Sequence, residues 1–165
     1  MKKTILAATA ILMFFLAACD KKEQNSGYSK HESEVFSLEY PTSWDTVLYI
    51  RPFQPFMASS PSEEQVLVMA TRLINGVSLD SFVTDRINAF QNVEDWQFEL
   101  VEKKIEGNKA SIHYTLQNEY TSEKFGQLMN IYVHGEHFYG IDCRYENDAQ
   151  KDTVQHIMNS VKFIQ

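Results

Sequence analysis

The sequence predicts an α+β domain built as a three-layer α/β/α sandwich around a mainly antiparallel sheet. Two segments with the apolar spacing of helices lie on either side of a long run of strand-like sequence. The strands in that run are separated by two-residue turns, which join antiparallel neighbours. An earlier strand, Gln65 to Leu73, is apolar on both alternating faces and therefore needs cover on each side. A sheet between two helical layers meets these requirements.

The first expected strand runs from Val35 to Tyr40 and stops at Pro41, because proline has no N–H to donate to the ladder. A second strand is predicted from Thr46 to Arg51, before the one at Gln65 to Leu73. Ser78 is a suitable N-cap for the first helix. The apolar residues that recur there at helical spacing are Leu79, Phe82, Val83, Ile87 and Phe90.

Two hairpins and a second helix complete the expected domain. Trp96 to Glu106 pairs with Lys109 to Tyr120 through Gly107-Asn108, and Phe125 to His134 pairs with His137 to Tyr145 through Gly135-Glu136. The closing helix is predicted from Asp148 to Ser160, with Asn147 or Asp148 as its cap and a short extended tail after it. Its buried stripe is Val154, Ile157, Met158 and Val161.

Short motifs at both ends of this domain resemble those of a known superfamily. Phe36 to Pro41 followed by Trp44, and the run from Ser160 to Phe163, are similar to the opening and closing signatures of PsbP/Mog1-like domains. Bacterial members of that superfamily include DcrB-like lipoproteins. The resemblance covers Val35 to the end and implies a small α/β/α domain used mostly for protein contacts. It supplies no metal ligand and no catalytic residue, and this chain departs from it in a Pro-rich loop after the second strand.

The N-terminus resembles a bacterial lipoprotein signal. Met1-Lys2-Lys3 is basic, Ile5 to Phe15 is apolar, and Leu16 to Cys19 reads as a lipobox. The predicted organisation is therefore a signal peptide over residues 1–18, a flexible tether over 19–33 and the domain over 34–165. Cys19 is the expected lipidation site, with palmitate-type acyl chains as the anchor. A plain secretory signal and a signal anchor are the alternatives.

The charge balance bears on partners and location. Loss of Lys2 and Lys3 leaves 13 basic against 22 acidic residues, a mature charge of −9, which disfavours nucleic-acid binding. The expected location is the bacterial cell envelope, with the domain on the periplasmic or outer side of a membrane. Asp20 after the lipidated cysteine resembles an inner-membrane retention signal, if the host sorts lipoproteins as enteric bacteria do.

Catalytic motifs are not found in the sequence. No serine lies in a Gly-x-Ser-x-Gly elbow, glycines are too few for a phosphate loop, and His31-Glu32 lacks the second histidine of a zincin. The chain is therefore predicted not to be an enzyme and to need no cofactor. Cys143, inside an apolar strand, is expected to be a buried small hydrophobe, since a lipidated Cys19 cannot pair with it.

Two features remain as candidate binding sites. His134 and His137 would face each other across the Gly135-Glu136 turn, and such a pair of imidazoles contributes two ligands to a transition metal but not a complete shell. The alternative is an exposed hairpin tip. The neighbouring Tyr132 and Tyr139 are expected to pair on the same face and to pack against a helix.

The second feature is the loop from Arg51 to Pro61, in which prolines oppose a strand ladder while apolar side chains favour burial. It either packs over the sheet edge or contacts a partner through Phe53, Phe56 and Met57. The sequence thus predicts a lipid-anchored, non-catalytic envelope module that docks another protein. The alternatives are a small-ligand or metal-binding lipoprotein using the two histidines, and last an enzyme.

Overall fold

In a computed structural model the described residues are 27–47, 53–62, 64–72 and 76–164. The helices are α1 (Leu79–Gln91) and α2 (Asp148–Ser160). The strands are β1 (Tyr28–Glu32), β2 (Phe36–Pro41), β3 (Asp45–Thr46), β4 (Phe56–Ser59), β5 (Gln65–Arg72), β6 (Trp96–Glu106), β7 (Lys109–Asn118), β8 (Lys124–His134), β9 (His137–Tyr145) and β10 (Lys162–Phe163).

The described strands form two antiparallel sheets. Seven strands lie in the order β3-β4-β5-β9-β8-β7-β6, and three lie in the order β1-β2-β10. The two hairpins predicted from Gly107-Asn108 and Gly135-Glu136 are present, and both glycines have positive φ. The long strand predicted to be central is β5, which pairs with β4 on one side and with β9 on the other.

Each face of the large sheet has its own layer, so the predicted α+β sandwich is confirmed. On one face α1 packs against β6 and β7, and on the other α2 packs against β2, β5, β8 and β9. Alternation along β9 shows the division, because Phe138 belongs to the core under α1 while Ile141 and Cys143 belong to the core under α2. The small sheet lies in the α2 layer through Phe36 and Leu38.

Both helices begin where their caps predict. Ser78 Oγ accepts a hydrogen bond from the backbone N–H of Ser81 at 3.1 Å. Asn147 and Gln150 form a capping box, in which each side chain accepts from the other residue's backbone N–H. These bonds satisfy donors that the first helical turn leaves unpaired.

The folded domain begins earlier than the sequence suggests. Residues 28–32 fall within the predicted tether, but they form β1, and all five of them pair with β2. The His31 ring packs 4.2 Å from the Phe56 ring and 5.4 Å from the Phe36 ring, measured between centroids. These aromatic contacts hold β1 in place, although its polar sequence does not predict a strand. The predicted signal peptide and Cys19 lie outside the described residues.

Part of the Pro-rich loop is also a strand. Residues 56–59 form β4, which pairs with β3 on one side and β5 on the other. Pro55 and Pro61 flank this strand rather than interrupt it, so its ladder keeps every N–H donor. The second predicted strand is seen only at its beginning, as β3, because residues 48–52 are not among those described.

The end of β7 also differs from its predicted position at Tyr120. The strand ends at Asn118, whose Oδ1 accepts hydrogen bonds from the backbone N–H groups of Tyr120 and Thr121, each at 2.9 Å. This local bonding turns the chain toward β8. Neither α1 nor α2, each 13 residues long, has the length that a membrane crossing requires, and no other helix occurs in the described ranges.

Candidate functional site

A groove of about 180 Å³, lined by polar side chains together with Leu128 and Met158, lies on the α2 side of the large sheet. One wall is the end of α2, with Gln155 and Asn159, and the other is the outer strand β6, with Glu102 and Lys104. The floor comes from β7 and β8. The groove forms where strands near the end of the sheet continue beside the helix.

The floor owes its character to strict alternation along β7. Ala110, Ile112 and Tyr114 point into the core under α1 and are buried. The residues that alternate with them face the groove: Lys109, Ser111 and His113. On β8 the groove is lined by Asn130, which is only 6% exposed and donates from Nδ2 to the Tyr132 hydroxyl at 3.2 Å. A buried amide in the floor of an open groove is unusual, since most buried positions are apolar.

His113 is fixed by a tyrosine two strands away. The Tyr145 hydroxyl and His113 Nε2 are 2.6 Å apart, close enough for a short hydrogen bond. Gly126 lies between them on β8, opposite Tyr145 in the register. A Cβ at Gly126 would lie 2.2 Å from Tyr145 Cζ, so the ring reaches His113 only because residue 126 has no side chain.

The surroundings of His113 keep it neutral. Burial lowers the pKa of His113, the nearby Lys151 ammonium lowers it further, and Glu102 opposes both. Burial also raises the pKa of Tyr145, with Asp148 adding to the effect. The pair is therefore a neutral imidazole and a neutral phenol, which can exchange donor and acceptor roles with a polar ligand.

A second group of polar residues lies on the opposite face, under α1. Asp142 is half-buried there, and its Oδ1 is buried with no hydrogen-bond partner in the described part of the chain. Burial raises the pKa of Asp142 to about 7, while Arg86 on α1 acts in the opposite direction. Burial, followed by the charge of Asp142, raises the pKa of Tyr114. A buried carboxylate oxygen without a partner lowers the stability of the folded protein, and these residues do not line an open site.

The three predicted partner-contact residues have different environments. Phe56 is 2% exposed and belongs to the core under α2, so for this residue the packing alternative holds and its side chain does not reach a partner. Met57 is half-buried on β4. Phe53 is 52% exposed, and its carbonyl accepts a hydrogen bond from the backbone N–H of Ala70.

The predicted histidine pair is present as a register pair. His134 and His137 are cross-strand partners at the end of β8 and β9. The His134 ring stacks on Phe163, with centroids 4.8 Å apart, so this imidazole already has a contact within the protein. Within residues 27–47, 53–62, 64–72 and 76–164 no three metal-ligating side chains come together, so the metal site stays a prediction resting on two imidazoles.

The aromatic pair beside the histidines lies between the two sheets. Tyr132 and Tyr139 pair across β8 and β9, as predicted. Both rings contact Phe163 of the small sheet, at 5.0 and 5.4 Å between centroids, and Tyr132 also packs against the core under α2. They therefore join the two sheets on the α2 side. Cys143 is fully buried, as the sequence predicts, and burial raises the pKa of its thiol.

Sequence reasoning did not find the groove. The signal that could have found it is the alternating polar series Lys109, Ser111, His113 and Thr115 in β7, which predicts one open face. Its meaning depends on where α2 ends over the sheet, and that is a tertiary property. The sequence gives no sign of the role of Gly126 either, because only the strand register shows that Tyr145 covers it.

Comparisons with known proteins identify the fold. The chain is similar to the solution structure of cyanobacterial PsbP (CyanoP) from Synechocystis sp. PCC 6803, with a TM-score of 0.66 and 16% identity over 90% of this chain and 99% of that one. It is also similar to a crystal structure from Bacteroides thetaiotaomicron VPI-5482, with a TM-score of 0.55 and 11% identity over 84% of this chain and 49% of that one. No family model matches the sequence, and no curated protein matches it significantly. The domain therefore has a PsbP-like fold.

Proposed function

We propose that this chain is a lipid-anchored protein of the bacterial cell envelope whose PsbP-like domain docks another protein without catalysis. The lipobox ending at Cys19 supports the anchor and a location on the periplasmic or outer side of a membrane. Asp20 supports the inner membrane where enteric-type sorting applies. The observation that carries the docking role is the exposed apolar surface of β6.

Strand β6 is the outer strand of the seven-stranded sheet and is 11 residues long. It exposes three large apolar side chains: Leu100 at 41%, Val101 at 52% and Ile105 at 36%. Leu100 and Ile105 face the α1 side, because their partners on β7 are Tyr114 and Ala110. We call these three residues the β6 patch. Exposed apolar side chains gathered on one strand are typical of a protein contact.

The edge of β6 is poorly suited to receiving another strand. A register shift between Leu100 and Glu102 places Val101 in a bulge, and charged residues follow it from Glu102 to Lys104. The bulge and the charged side chains both disfavour pairing of this edge with a strand of another protein. The partner should therefore be a folded envelope protein that covers the β6 patch with apolar side chains, since the backbone edge is interrupted.

Site-specific photo-crosslinking in host cells tests the proposal. A photoreactive amino acid at position 101 should give one discrete adduct with another envelope protein. The same residue at Tyr120, which is 78% exposed but lies in the turn after β7, serves as the matched control. Val101→Lys in a chain labelled at position 100 should abolish the adduct. Adducts that are absent, or equal at positions 101 and 120, would remove the docking role.

The anchor is tested separately in the same cells. Cys19→Ala should weaken the position-101 adduct, because the domain would no longer be held beside a membrane partner. An unchanged adduct would leave docking in place and exclude a contribution from the lipid.

A further inference from the structure

We infer that the groove between α2 and β6 binds a small zwitterion about the size of a dipeptide, at a site separate from the β6 patch. The ligand's carboxylate would lie at Lys109 and Lys104, its peptide group at Ser111, and its ammonium at Glu102. The inference stands on the distribution of charge along the groove, the spacing of its polar residues and the rigid support beneath them.

Charges of opposite sign are separated along the groove. Across the β6–β7 ladder, Lys109 is opposite Glu106, Ser111 is opposite Lys104, and His113 is opposite Glu102. The two lysines that line the groove therefore lie toward one end, and its one lining carboxylate, Glu102, lies toward the other. A ligand with a single charge would be attracted by one end and repelled by the other, whereas a zwitterion is attracted by both.

The cations at the positive end are not equally available. Lys104 Nζ is 2.8 Å from Glu106 Oε1, and both side chains are well exposed. Lys109 Nζ is positioned over the Tyr132 ring at 5.4 Å from its centre, and no carboxylate in the described ranges lies within 4 Å of it. Lys109 is therefore the principal cation for a carboxylate, and Lys104 would have to be shared with Glu106.

The spacing of the groove residues suits an extended dipeptide. Lys109 and His113, the partner of Glu102, are four positions apart on β7, about 13 Å, with Ser111 midway between them on the same face. Two extended residues of a ligand span about 7 Å between their charged ends, and an ion-pair contact of about 3 Å at each end brings the total to about 13 Å. The central peptide group would then lie beside Ser111 and Asn130, whose hydroxyl and amide can both donate and accept hydrogen bonds.

The floor of the groove is preorganised. The Tyr145 hydroxyl holds His113, and Tyr145 itself lies against Gly126. The Asn130 amide is buried and donates to the Tyr132 hydroxyl. Side chains fixed in this way lose little conformational entropy when a ligand binds.

Calorimetric titration of the full-length chain in detergent tests the inference with glycylglycine as the probe. Two controls each remove one charge and keep the peptide group: N-acetylglycylglycine lacks the ammonium, and glycylglycine amide lacks the carboxylate. Saturable binding of glycylglycine is expected, with affinity at least about tenfold weaker for each control. Equal affinity for all three, or no binding of glycylglycine up to about 10 mM, would overturn the inference.

Variants locate the site. Glu102→Gln should abolish the preference for glycylglycine over its N-acetyl form, and Lys109→Met should abolish the preference over its amide. Glu106→Gln, which releases Lys104, should strengthen binding. Unchanged melting temperatures would show that the variants are folded. Ligand-induced amide shifts should fall at Ser111, His113 and Asn130, and shifts confined to the His134–His137 hairpin would contradict the assignment.

Discussion

The Tyr145 hydroxyl lies 2.6 Å from Nε2 of His113, although the two residues belong to strands separated by a third. The intervening strand contributes Gly126, and the aromatic ring crosses the sheet where that residue has no Cβ. Three positions far apart in the sequence are thereby mutually dependent. This relationship gives the first prediction.

Gly126→Ala should destabilise the domain by about 1–3 kcal/mol, because the new methyl group and the Tyr145 ring would occupy the same space. Urea denaturation measures the free energy of unfolding directly. Gly140→Ala is the matched control, since the nearest atom to a Cβ there is Met69 Cε at 3.8 Å. Equal losses for the two variants would show that Tyr145 moves aside without cost.

Asp142 makes stability depend on pH at neutral values. Its pKa is about 7 in the folded protein against 3.8 as its ordinary value, so between these limits the folded state binds more protons than the unfolded state. The free energy of unfolding should therefore fall as pH rises from about 4 to 7. Asp142→Asn should remove this loss, gaining about 2 kcal/mol more over the wild type at pH 8 than at pH 5. A gain that is the same at both pH values would contradict the burial of a charged Asp142.

His31 has the opposite effect at lower pH. Its ring packs between aromatic residues, and burial lowers its pKa below the ordinary 6.5, so the unfolded state binds the proton more readily. The contribution of His31 is intact above pH 6.5 and is lost as pH falls through the folded-state pKa. His31→Phe should flatten the melting-temperature profile between pH 5 and 7. Lys30→Gln, on the exposed face of the same strand, is the control and should leave the slope unchanged.

Cys19 should carry the acyl chains that attach the protein to the envelope. Cells grown with a clickable palmitate analogue should yield a labelled protein that partitions into membranes. Cys19→Ala should lose both the label and the membrane association. Cys143→Ala should keep the label, because that thiol is buried in the core. Membrane association without label would indicate an uncleaved signal anchor.

The elements found from the sequence are those with strong local signals. Helical periodicity and caps placed α1 and α2, and two-residue turns with glycine placed the β6–β7 and β8–β9 hairpins. In contrast, β1 and β4 are short and contain polar residues or neighbouring prolines. Their stability comes from pairing with β2, β3 and β5, which no local pattern reveals.

The candidate site was less accessible to sequence analysis for the same physical reason. The alternation that makes β7 polar on one face is visible, but the groove exists because α2 covers β8 and ends beside β6 and β7. Phe56 depends on tertiary structure in the same way. The sequence left two alternatives for its loop, packing over the sheet edge or contact with a partner, and its ring lies in the core next to His31 and Tyr40.

The crossing of Tyr145 over Gly126 also offers a criterion of kinship where overall similarity is weak. Any larger residue at position 126 demands a smaller one at 145, and His113 then loses the phenol that holds it. Glycine, tyrosine and histidine at these three positions should accordingly be inherited or replaced as a set. A distant homologue that retains all three would share this face of the sheet.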